Sequence, residues 1–228
     1  MSIKNIEQYE NNLGIMTSKE LETIQQKKIM IVGLGGLGGH LADNLVRLGV
    51  SKLMLVDFDV FEVSNLNRQL YSTQHNIGDY KVHVLREQLQ KINQDCLIEV
   101  SIEKIEDLLI ENLRDIDYIV DAVDSPQTKI HIAELANKLK IPLVHGACAG
   151  WYGQVGIILP GCTLIKDVYQ NQKHGIEMEL LNPSFTPAAI AAIMVSEFVK
   201  YLNQKKSATI NQLRLIDLLN AEFIGTGD

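Results

Sequence analysis

An apolar run over residues 28–32 leads directly into Gly33-Leu34-Gly35-Gly36-Leu37-Gly38, and Leu41, Leu45 and Leu48 follow at helical spacing. Strand, glycine turn, helix is a narrow specification. Glycine lets the backbone turn tightly and approach a phosphate, while the helix start offers unpaired N–H groups and a partial positive charge. A ligand-free tight turn is the bland alternative. Spaced glycines in this context favour a nucleotide, held by Gly33, Gly35, Gly36 and Gly38.

The rest of the chain extends that unit. Gly49 stops the first helix, and 53–56 reads as a second strand. Residues 81–92 form a helix with Val82, Leu85, Leu89 and Ile92 on one face. A strand over 118–122, a helix over 126–139 and strands over 142–145 and 154–159 follow. This alternation predicts an α/β fold, a Rossmann-like, doubly wound, mostly parallel sheet. Residues 1–27 are polar, with a helix from Ser18 as N-cap and Glu22 downstream. Residues 160–183 are polar and irregular, and a loop of that length is usually functional. Pro187 opens a late helix to about residue 202, and 213–218 and 222–224 read as closing strands, a C-terminal antiparallel extension. The chain therefore reads as a single domain: a helical segment 1–27, a nucleotide-binding core 28–159, the loop 160–183, and the late helix with closing strands 184–228.

Composition excludes several classes. Against 21 basic side chains stand 28 acidic ones, a formal net charge of -7. That argues against a nucleic-acid partner. Lys4, Glu7 and Glu10 interrupt any N-terminal signal, and the longest apolar run, 188–195, is too short to span a bilayer. The expectation is a cytoplasmic protein with no membrane partner. Cys96, Cys148 and Cys162 form no CxxC pair, so neither a disulfide framework nor a four-cysteine zinc site is expected.

Downstream of the glycines lies a set of polar candidates. Asp57 ends the second strand, where an acidic side chain meets ribose hydroxyls. Asp59, two residues on, reads as structural. Asn65 and Arg68 are one helical turn apart and share a face. Arg68 would grip phosphate with its planar fork and Lys81 would add a point charge. A nicotinamide enzyme needs no such pair, whereas a triphosphate cleaved at its α-phosphate does, because charge moves onto the departing pyrophosphate. Asp121 and Asp124 close the next strand. Either would cap the following helix or hold Mg²⁺, with Asp124, beyond the strand, favoured for metal. Cys148 reads as a small buried residue and His145 as a satisfied core histidine. Cys162, beside the long loop, has no basic neighbour in sequence to activate it.

The stretches GLGGLG (33–38), VDFDVFEVSNLNRQ (56–69), IGDYK (77–81) and VDAVDS (120–125), with GQV (153–155) and NPSFTP before the late helix, resemble the ThiF/MoeB/HesA family. These are bacterial relatives of ubiquitin-activating E1 enzymes, and the resemblance covers most of 28–202. It implies a Rossmann-like homodimer. The implied reaction is adenylation, with MgATP, of the C-terminal Gly-Gly carboxylate of a small ubiquitin-like sulfur carrier protein. Asp57 would hold ribose, Asn65, Arg68 and Lys81 the phosphates, and Asp124 the Mg²⁺. Residues 160–183 resemble a crossover loop over the carrier's tail, and 213–224 would help form its docking surface. Some family features are missing. No arginine precedes Arg47, where the family carries one that reaches the partner subunit's ATP. The two CxxC pairs are absent, so no zinc is expected. No cysteine stands in 163–183, which favours simple adenylation over full E1-type transfer, and Ser125 replaces the usual asparagine.

Two rival readings fit part of the pattern. A NAD-dependent oxidoreductase accounts for the glycines and Asp57 but leaves Arg68, Lys81 and Asp124 idle. A non-catalytic E1-like dimeric scaffold accounts for the missing N-terminal arginine.

Overall fold

The computed structural model describes residues 6–175 and 180–225. Its eight strands form one sheet in the order β3-β2-β1-β4-β5-β6-β7-β8. They are β1 (Lys28–Val32), β2 (Lys52–Val56), β3 (Leu97–Ser101), β4 (Tyr118–Asp121), β5 (Leu143–Ala149), β6 (Tyr152–Ile158), β7 (Arg214–Asp217) and β8 (Glu222–Gly225). Strands β3 through β5 pair in parallel, and β5 through β8 pair antiparallel. The expected mostly parallel sheet with an antiparallel C-terminal extension is what forms.

Helices α1 (Ser18–Gln26), α2 (Gly36–Leu48), α3 (Lys81–Ile92), α4 (Pro126–Leu139), α5 (Leu164–Tyr169) and α6 (Phe185–Leu202) pack around it. Alternation along β1 and β2 divides the core. Ile29, Ile31, Leu53 and Leu55 join side chains of α2, α3 and α6 on one face. Met30, Val32, Met54 and Val56 join those of α4 and α5 on the other. Every residue of β1 is buried, as a strand covered on both faces requires.

Helix α6 is long and apolar enough, by length and composition alone, to cross a membrane. Here Ile190, Met194 and Phe198 are buried and the helix packs on α2, β5 and β6. Its apolarity follows from lying between sheet and helix.

The structure corrects several local expectations. Thr17, not Ser18, caps α1: its hydroxyl accepts from the Glu20 N–H while the Glu20 carboxylate accepts from the Thr17 N–H, a capping box. Ser125, not Asp121 or Asp124, caps α4 by accepting from the Thr128 N–H. Within 160–183 lies α5, which buries Ile165 and Tyr169, so this stretch is not irregular throughout. Residues 176–179 of that stretch lie outside the described residues.

Candidate functional site

The strand order reverses direction of travel between β1 and β4, and in such sheets ligands bind beyond the strand C-termini at that point. A cavity of about 1050 Å³ opens there. Its floor is the glycine loop. Gly33 has φ +86°, and a Cβ on it would lie 2.8 Å from the Ala122 carbonyl oxygen. A Cβ on Gly38 would stand 1.8 Å from the Gly33 carbonyl oxygen, so the loop folds tightly only with glycine at both places. Helix α2 has Gly35 as its N-cap, which supplies no side-chain cap, and Gly35, Gly36 and Leu37 line the cavity. Its first N–H groups are thereby left for an anion.

Asp57 is buried at the end of β2. Its carboxylate accepts from the Leu34 N–H at 2.5 Å and the Asp59 N–H at 2.8 Å, bracing the glycine loop against the turn after β2. Burial pushes its pKa up, partly offset by the Lys81 ammonium and those two N–H groups. A carboxylate has about four acceptor positions, so capacity remains for ribose hydroxyls.

Asn65, Arg68 and Lys81 line the same cavity. Asn65 is buried and structural in part: its side-chain oxygen accepts from the Glu62 N–H at 3.0 Å, closing a short 3-10 turn over Val63–Asn65. Arg68 donates through one terminal nitrogen to the Ser64 carbonyl at 3.0 Å and the Asn67 amide oxygen at 2.8 Å. Lys81, the first residue of α3, is buried and pairs with Asp59 at 2.9 Å. Asp59 is thus the counter-ion of the lysine expected to meet phosphate.

Asp124 is exposed and lines the cavity from the turn between β4 and α4. Asp121 does not line the cavity. It is fully buried beneath that turn with Lys129 and His145. His145 is the satisfied core histidine expected. Cys148 lines the cavity and is only partly buried; Cys162 is not among the lining residues. The sequence reading missed Lys104, Glu106, Thr128, Asn182 and Pro187 as wall residues. Lys104, Glu106 and Thr128 come from segments with no motif of their own, whereas Asn182 and Pro187 are the two ends of the NPSFTP stretch, to which no site role was given. Gln69, adjacent to Arg68, was within reach of the motif, and its buried side-chain oxygen has no partner.

All of Gly33, Gly35, Gly36, Asp57, Asn65, Arg68, Lys81 and Asp124 therefore converge on one cavity, while Gly38 supports the loop from behind. Among the described residues no group of three or more His, Cys, Asp or Glu side chains could hold a metal by protein ligands alone.

Comparison with known proteins places this geometry. A model of the ThiF family matches residues 9–225. The chain is 30% identical over 159 residues to SUMO-activating enzyme subunit 2 of Dictyostelium discoideum, covering 69% of this chain and 24% of that one. It is 32% identical over 155 residues to tRNA threonylcarbamoyladenosine dehydratase of Haemophilus influenzae, covering 64% and 58%. It is 34% identical over 147 residues to the sulfur carrier protein ThiS adenylyltransferase of Bacillus subtilis, covering 61% and 43%. The chain thus spans from about a quarter to somewhat over half the length of these relatives. In fold it is similar to a crystal structure of PaaA, with a TM-score of 0.83 and 20% identity over 99% of this chain and 83% of that one. Sheet order, glycine loop and sequence match together assign the chain to the ThiF family of E1-like proteins.

Proposed function

We propose that the chain is an adenylyltransferase that uses MgATP to activate the C-terminal Gly-Gly carboxylate of a small ubiquitin-like sulfur carrier protein. The observation that carries this is the convergence of the α2 N-terminus, Arg68 and Lys81 with Asp124 across one cavity. The cavity fits a metal-bound triphosphate better than a bare one. Asp57, Asp59, Glu103, Glu106 and Asp124 outnumber Arg68, Lys81 and Lys104 along its walls, so an unaccompanied triphosphate would be repelled. One exposed carboxylate fits Mg²⁺, which is commonly held by one or two carboxylates together with substrate phosphates.

In this reading Asp57 holds ribose, and the glycine loop and the first turn of α2 hold phosphates. The carrier carboxylate attacks the α-phosphorus. A carbon-bound oxygen gains a bond to phosphorus, the bond from the α-phosphorus to the bridging oxygen breaks, and pyrophosphate leaves with the electron pair. The attacking oxygen is already ionised, so the chain need supply no general base. Arg68 and Lys81 neutralise charge as it moves to the leaving group, and holding two anions together lowers the entropic cost. Bound Mg²⁺ would add charge neutralisation at the phosphates, held by Asp124.

Docking has support at the antiparallel extension. Tyr152, Leu215 and Ile224 share one sheet face by register and are all exposed, an apolar surface suited to a small folded partner. The family resemblance supports a homodimer, which sedimentation velocity would measure.

ATP–pyrophosphate exchange with small Gly-Gly-ending proteins tests the proposal. Exchange should require such a protein, and Arg68→Ala or Asp124→Ala should each lower it by about 10²-fold or more without unfolding the chain. Undiminished exchange in either variant removes that residue from the mechanism. Tight NAD binding without ATP binding, measured calorimetrically, would favour the oxidoreductase. Exchange dependent on a threonylcarbamoyladenosine-bearing tRNA would move the substrate from a protein to a nucleic acid.

A further inference from the structure

Beneath the Asp124 turn runs a buried polar chain for which the mechanism above has no use. Asp121, at the end of β4, is fully buried. One of its oxygens accepts from the Val123 N–H at 3.1 Å and from Lys129 at 3.2 Å; the other accepts from His145 Nδ1 at 2.7 Å. Lys129, on α4 and 2% exposed, also donates to the Gly146 carbonyl at 2.9 Å. With the Nδ1 proton committed to Asp121, His145 Nε2 is an acceptor, and the Tyr169 hydroxyl lies 3.3 Å from it. Gln154 donates to that same hydroxyl. The Tyr169 ring also sits 5.8 Å from the Lys129 ammonium.

These contacts join two places that sequence keeps apart. At one end, the Val123 N–H bond fixes the backbone of the turn carrying Asp124. At the other, Tyr169 ends α5, inside the segment that follows β6. Gln127 on α4 donates to the Gln172 carbonyl at 3.1 Å, a second tie between the same regions. An unpaired ion is costly to bury, so Lys129, Asp121 and His145 hold one arrangement.

We propose that Tyr169 and Lys129 are positioning residues: through His145 and Asp121 they hold the Ala122–Ser125 turn so that the Asp124 carboxylate stays at the cavity wall. Asp124 touches the ligands; Tyr169 and Lys129 act only through the turn. This rests on the proposed role of Asp124 toward Mg²⁺, but the relay itself is measurable without ligand. Movement of α5 would then register at the metal-facing turn.

Tyr169→Phe is the test, because it removes the hydroxyl and keeps the ring. In the ligand-free protein, hydrogen exchange at the Val123 amide should accelerate several-fold while the urea midpoint stays near wild type. In pyrophosphate exchange, the Mg²⁺ concentration for half-maximal rate should rise roughly threefold to tenfold, the worth of one hydrogen bond, with kcat at saturating Mg²⁺ unchanged. Lys129→Arg should retain more of the wild-type Mg²⁺ response than Lys129→Met. A Val123 amide that exchanges at the wild-type rate overturns the relay, whatever the enzyme does. Faster Val123 exchange with an unmoved Mg²⁺ requirement, in a protein that does exchange pyrophosphate, shows a structural cluster and overturns the positioning role. If the wild-type protein exchanges no pyrophosphate, the proposed function fails, and the amide measurement still decides the relay.

Discussion

At the scale of single residues, the site divides into groups that face the cavity and groups that hold those groups in place. Asp57 belongs to both. Its buried carboxylate braces Leu34 and Asp59 while facing the cavity, and its raised pKa records what burying it without a full counter-charge costs. Gly38 belongs only to the second. With a Cβ placed 1.8 Å from the Gly33 carbonyl oxygen, Gly38→Ala must push the loop off β1. The expected result is a loss of at least about 2 kcal/mol in urea unfolding, with nucleotide binding weakened as well. The glycines and acids of the motif were legible because each lies at the C-terminal end of a strand recognisable from its own short apolar run. Asp121, Lys129, His145 and Tyr169 were not legible as a unit, since four separate elements bring them together.

At the scale of elements, local signals worked where a helix carries its own stop and start. Helix α3 and helix α4 fall where periodicity and Pro126 put them. Strand β3 was missed. Its five residues lie at the sheet edge, and Leu97 is 66% exposed, so neither a buried run nor clean alternation marks it. Helix α5 was missed for a related reason: six residues give less than two turns of pattern, and packing against α4 rather than propensity holds it. The capping box of α1 makes a separate prediction. Thr17→Ala should cost about 0.5–2 kcal/mol of unfolding free energy and leave pyrophosphate exchange unchanged, because α1 lies outside the cavity wall. A loss of exchange at full stability would tie α1 to the site.

At the scale of the whole molecule, buried ionisable groups set the acid limit. Burial, aided by the Lys129 charge, holds His145 below its ordinary value of 6.5, against the pull of Asp121. The unfolded chain therefore binds a proton there first, so this contribution is complete above pH 6.5 and is lost as pH falls below it. Asp121 follows. Burial alone would raise it, but Lys129, His145 and the Val123 N–H outweigh burial and hold it below 3.8. Its contribution is present above that value and disappears as pH falls through the folded pKa. Asp57, raised, works in the opposite sense, its contribution being present below 3.8 and lost as pH rises through the folded pKa. Urea midpoints should decline from pH 7 to pH 5 and fall more steeply below pH 4, and His145→Gln should flatten the first of these declines. A midpoint independent of pH from 7 to 5 would mean that His145 charges in place.

Two kinds of information made this fold. The sequence by itself determined the strand–glycine–helix unit, the parallel class of the sheet and the cavity residues Asp57, Asn65, Arg68, Lys81 and Asp124, because backbone sterics and short-range periodicity operate over a few residues. The tertiary structure alone decided that Lys81 pairs with Asp59, that Asp121 turns away from the cavity into a buried ion cluster, and that Tyr169 reaches back beneath the Asp124 turn. Those outcomes depend on which distant side chains share a low-dielectric interior, where each buried charge must find a partner, and no local pattern encodes that choice.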